Sequence, residues 1–110
     1  MILKVGDRIR YDLSVGSWDR SEWGRTVLAA WRRRRKRARE AGHVLPEKPK
    51  RASATGVVTG IEKKGAGPVE EVDVHATWAA LVLVDFGWGT RGLAVGRSMA
   101  QPMVPELLEG

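Results

Sequence analysis

The chain has 110 residues, no cysteine, and 19 Lys or Arg against 13 Asp or Glu, for a formal net charge of +6. That length suits a single domain with one core, and the missing thiols exclude disulfides, cysteine nucleophiles and cysteine metal sites. Hydrophobic residues make up 43% of the chain, enough for a core, and no apolar run reaches the ~18 residues of a transmembrane helix, so a soluble protein with no membrane partner is expected.

The opening, MILKVGDRIRYD, lacks the basic and then apolar regions of a signal peptide, which predicts a cytoplasmic location. Asparagine is absent and Arg outnumbers Lys, 13 to 6. Those biases follow GC-rich codons and suggest a GC-rich bacterium or a cell infected by one of its phages. Charge is unevenly spread. Residues 20–51 hold twelve basic and three acidic groups, while the rest hold seven basic and ten acidic. A mildly acidic body with a concentrated basic appendage points to an anionic partner, most commonly nucleic acid.

In chain order, residues 2–13 read as an opening strand region. Lys4-Val5-Gly6-Asp7 is a turn, and Ile9, Tyr11 and Leu13 alternate with Arg8, Arg10 and Asp12, the period of a half-buried strand. Residues 19–41 read as a helix. Asp19 and Glu22 have capping-box spacing, Trp23, Val27 and Trp31 with Leu28 form an apolar stripe, and Gly42 is a C-terminal stop. Residues 43–55, HVLPEKPKRASAT, read as an extended linker with two prolines.

The pattern then turns to β. Strands are expected over Gly56–Glu62, Val69–His75, Ala79–Phe86 and Thr90–Val95, separated by the turns Lys63–Gly67 and Gly87–Gly89. Ala79–Phe86, the most hydrophobic run, should be the central strand. Residues 96–110 read as a tail with at most one short strand or helical turn.

The strongest candidate site is Arg32-Arg33-Arg34-Arg35-Lys36-Arg37-Ala38-Arg39. Seven cations in eight residues point in every direction around a helix. They cannot pack on a core without burying unpaired charge, and their mutual repulsion should fray the helix when it is unbound. Phosphates relieve that repulsion, and release of condensed counterions drives binding. The arginine fork also grips a phosphate or a guanine edge bidentately. Arg25, Lys48, Lys50 and Arg51 extend the patch. The alternative is a solvated helix end that keeps the protein soluble.

Trp23 and Trp31, at helical spacing, are expected in the core. Trp88, between glycines and near Arg91, either stacks a base or peptide or folds back over a barrel end. Gly87, Gly89 and Gly92 spell G-x-G-x-x-G, but a strand follows them where a dinucleotide fold needs a helix, so they are expected to serve turn geometry. Glu71, Asp73 and His75 share one strand face, with Val72 and Val74 turned inward; that face is expected to be solvated. Lys63 and Lys64 read as a solvated turn. No nucleophile has an adjacent base, so no enzymatic activity, metal, cofactor or small-molecule ligand is expected.

The strings KVGDRIRY, GVVTGIE and ALVLVDFG resemble the SH3-like or Tudor-like small barrels. They are similar to the KOW-type barrel and to the RNA-polymerase-interacting domain of CarD-type regulators, over residues 4–13 and 56–95. The long basic insertion departs from both families. The expected fold is therefore mainly β, a small SH3-like barrel of about five strands with one long basic helix inserted after the first strand. The expected function is low-specificity, phosphate-dominated binding of DNA or RNA. The resemblance implies a transcription accessory role, with RNA polymerase or another host protein as a docking partner. The alternative is a phage-encoded protein-interaction module, and a virion component with an Arg-rich arm is a third reading.

Overall fold

A computed structural model describes residues 1–16, 21–99 and 104–109. The protein is mainly β with one helix. In chain order its elements are β1 (Ile2–Lys4), β2 (Arg8–Ser14), α1 (Glu22–Glu40), β3 (Arg51–Lys63), β4 (Gly67–Val69), β5 (Glu71–Asp73), β6 (Ala80–Asp85), β7 (Thr90–Val95) and β8 (Glu106–Leu108). Where length alone suggests one unit, the chain divides into two compact ones. One comprises Met1–Asp12 with Ser53–Gly110, the other Leu13–Ala52.

In the larger unit β1 pairs with β5, and a second sheet runs β7-β6-β3-β2-β8 with β4 also on β3. β6, expected to be the central strand, is an interior strand between β7 and β3, and the middle of the five is β3. The alternation along β6 suits its interior place: Ala80, Val82 and Val84 are buried while Leu81 and Asp85 are exposed. Ala54, Val58 and Ile61 of β3, Leu93 and Val95 of β7, and Leu3, Ile9, Val72, Val74 and Phe86 join the buried residues of β6 in the core. Adding Cβ at Gly56 would bring it within 2.7 Å of the Asp85 carbonyl oxygen and 2.8 Å of the Phe86 ring. Only glycine lets β3 pass that close to the end of β6.

The Val5-Gly6-Asp7 turn is held at both ends. Asp7 Oδ2 accepts from Lys4 N at 2.8 Å, and Gly6 N donates to Val58 O at 2.8 Å. Val58 is also where the β3–β6 register shifts before Gly60, a bulge of the kind that bends a strand.

Two boundaries differ from the sequence expectation. The β segment expected to open at Gly56 opens at Arg51, so the extended linker ends at Lys50. Val69–His75 is not one strand: it is β4, which pairs with β3, and β5, which pairs with β1. The tail carries one short strand, β8, in the main sheet beside β2. Altogether the described residues form four strands of at least six residues and four of three.

In the smaller unit α1 begins at Glu22. Asp19, expected to cap it, lies outside the described residues, and Ser21 is the N-cap, its Oγ accepting from Gly24 N at 3.0 Å. The C-terminus closes as expected at Gly42, whose φ of 71° is the left-handed conformation glycine tolerates. His43 N donates to Ala38 O and Gly42 N to Arg39 O, the paired bonds of a Schellman motif.

Candidate nucleic-acid interface

The cation run occupies the C-terminal half of α1. Arg32, Arg33, Arg34, Arg35, Lys36, Arg37 and Arg39 are all exposed, as is Arg25 one turn or more earlier. The helix continues through Glu40 in spite of the repulsion expected to fray it. The Schellman cap, Arg37 and Arg39 in the last turn against the helix dipole, and the packing of Trp31 account for that. Like charges at i+3 or i+4 oppose it. The run contains seven such pairs, each unfavourable by about 0.2–0.5 kcal/mol, or about 1.5–3.5 kcal/mol together before screening.

Among the described residues none of the seven makes an ion pair with a carboxylate; the ion pair of Arg10 with Glu106, at 3.3 Å, belongs to β2 and β8. Arg35 instead rests over the Trp31 ring, 5.6 Å from its centroid, a cation–π contact.

The helix packs on one side. Gly24 and Leu28 are buried, and Trp23, Val27 and Trp31 are half-buried. The two tryptophans, expected in the core, lie on the packed side but are only half-buried. Trp31 Nε1 donates to Pro46 O at 3.1 Å, so the segment after the helix folds back on it. Lys48 and Lys50, both exposed, belong to that segment, and Val15 N donates to Lys50 O at 2.8 Å. Arg51 is exposed at the first position of β3.

In the larger unit Trp88 folds back onto Phe86, the rings nearly parallel with centroids 5.4 Å apart. Arg91 lies 5.5 Å from the Trp88 centroid. The hairpin is tight: Phe86 N donates to Gly89 O and Gly87 N to Asp85 Oδ1. β7 begins at Thr90, inside the G-x-G-x-x-G string, and contains Gly92, so these glycines serve turn and strand.

Val72 and Val74 are buried while Glu71 and His75 are exposed, the alternation read from sequence. Asp73 Oδ1 accepts from His75 N at 3.0 Å; that bond chiefly holds the Asp73 carboxyl below its ordinary value. Its chemistry is that of a turn. Among the described residues no three potential ligands come together to hold a metal ion, and no helix is long and apolar enough to cross a membrane. Lys63, the last residue of β3, and Lys64, in the turn to β4, are exposed.

Two surface features escape the sequence reading. Trp78 is 59% exposed just before β6. On the outer face of the sheet the rung Gly60–Leu83–Gly92 leaves Leu83 flanked by two glycines, with Leu81 38% exposed beside it. The inward parity of Val82 and Val84 was the available signal for the leucines. No protein-family model, curated protein or solved structure matches this chain.

Proposed function

We propose that the protein is a non-enzymatic nucleic-acid-binding protein whose contact is phosphate-dominated, through α1 and the segment after it. One observation carries this: seven cations in eight residues stand exposed on a capped helix, and none is neutralised by a carboxylate among the described residues. Structural cations are ordinarily paired or dispersed, and an array that repels itself is stabilised when an anionic polymer binds it. Arg25, Lys48, Lys50 and Arg51 add charge to the same unit. Trp88 with Arg91 forms a second, smaller cationic-aromatic patch.

The larger unit reads as an SH3-like barrel. The long, bulged β3, bonded to β2, β4 and β6, supports this, since one bent strand shared among neighbours is how a small sheet curls. A protein-docking role for this unit, with a host protein such as RNA polymerase, is favoured by Trp78, because exposed Trp is typical of binding anchors; the two roles are compatible.

The test is anisotropy binding of fluorescent mixed-sequence DNA and RNA by the parent and by a variant with Arg32, Arg33, Lys36 and Arg37 all changed to Gln, its helicity verified by circular dichroism. Binding should weaken by about 100-fold or more once four phosphates go unneutralised. Failure of the parent to bind either polymer, or equal binding by the folded variant, refutes the reading.

A further inference from the structure

On the reading that α1 binds nucleic acid, we infer that its partner is B-form duplex DNA, entered in the major groove by the face of α1 that carries Arg32, Arg33, Lys36 and Arg37. At about 100° per residue, the packed side is fixed by the buried Gly24 and Leu28 and by Val27 and Trp31. Arg35, over the Trp31 ring, and Arg34 fall toward that side. The opposite arc of roughly 140° receives Arg25, Arg32, Lys36, Arg33 and Arg37.

Within that arc the cations form two rows. Arg32 and Lys36 make one at i, i+4, and Arg33 and Arg37 make the other, about 100° around the helix. Ala29 and Thr26 lie on the same arc one turn earlier and leave its surface low. Glu22 and Glu40, the exposed carboxylates of α1, fall on the same arc at its two ends and confine the cationic face to the span from Arg25 to Arg39, about 20 Å of helix.

Two cation rows flanking a low ridge match two phosphate rows flanking a groove. A helix with its side chains is about 10–12 Å across, and the B-form major groove is about 12 Å wide. The A-form major groove of duplex RNA is too narrow and deep for the same helix. A single strand offers one phosphate row and is gripped by stacking of bases on aromatics. Here Trp23 and Trp31 sit on the packed side, and Trp31 is already engaged by Pro46 and Arg35.

The experiment measures affinity of the full chain for three probes of mixed sequence: a 20-base-pair DNA duplex, the same sequence as an RNA duplex, and its single DNA strand. Dimethyl sulfate protection of guanine N7, which lies in the major groove, is read on the DNA duplex. The DNA duplex should bind tightest, by ~10-fold or more, because about two of its phosphates have no counterpart within reach on the other probes, and its N7 should be protected. Arg33→Gln/Lys36→Gln should cost several times more affinity than Arg34→Gln/Arg35→Gln, both variants keeping the parent's circular dichroism. Equal or tighter binding of RNA duplex or single strand, unprotected N7, or equal losses in the two double variants overturns the inference while leaving nucleic-acid binding intact. Binding of none of the probes removes both.

Discussion

Neutralising part of the α1 cation run should make the protein more stable and a poorer binder at once. Arg33→Gln/Lys36→Gln removes four of the seven like-charge pairs at i+3 and i+4, those joining Arg33 to Lys36 and Arg37, and Lys36 to Arg32 and Arg39. At about 0.2–0.5 kcal/mol each, the relief is about 1–2 kcal/mol, against a loss of about 0.3 kcal/mol for the attraction of Lys36 to Glu40 one turn on. Both sites are exposed and neither packs. The net gain of about 0.5–1.5 kcal/mol corresponds to a Tm increase of roughly 2–6 °C for a chain of this size. It is a low-salt effect, because near 1 M salt the screening length shrinks to about 3 Å. Thermal unfolding followed by circular dichroism in about 20 mM and about 1 M NaCl checks it. The parent Tm should rise with salt, the variant should start higher, and the two should converge. A variant less stable than the parent at low salt would mean that these cations hold the fold together, and the argument that they await an anion would fail.

Other substitutions probe the frame that presents the helix. Trp31→Phe keeps an aromatic ring but loses the indole N–H bond to Pro46 O, which should cost about 1 kcal/mol and speed amide exchange in the 43–50 segment. Gly56→Ala drives a Cβ against the Asp85 carbonyl and the Phe86 ring, and should lower stability by about 1–3 kcal/mol in denaturant titration. The Asp73 carboxyl is held below its ordinary value of 3.8 by its bond from His75 N. Its contribution is therefore full above that value and lost as pH falls through the lower folded value, so Asp73→Asn should flatten the acid limb of a stability–pH curve and leave neutral binding unchanged.

The frame was legible where side-chain alternation is strong. Val82 and Val84, alternating with Leu81 and Leu83, specify β6, and Trp23, Val27, Leu28 and Gly42 specify the course and end of α1. It was illegible where strands lack that signal. Arg51 to Thr55 spell RASAT, too small and polar to read as a strand, yet Ala54 is buried there because small residues suffice where backbone pairing holds the strand. The division of residues 69–75 between β3 and β1 as partners depends on long-range pairing that no local pattern encodes. The cation run was plain from sequence, and the stripe of Trp23, Val27, Leu28 and Trp31 already marked the side of α1 that packs. What the stripe did not offer was Gly24, which is buried on that same side.

The central claim is that the cationic face of α1 binds phosphate, and the salt dependence of DNA affinity tests it most directly. For the parent, the logarithm of the association constant with a mixed-sequence DNA duplex should fall linearly with the logarithm of NaCl concentration, by about 0.9 per phosphate contacted. With Arg25, Arg32, Arg33, Lys36 and Arg37 engaged, the slope should be roughly −4 to −5, collapsing to about −1 when the last four are Gln. A slope near zero, or one that the four substitutions leave unchanged, would contradict that claim.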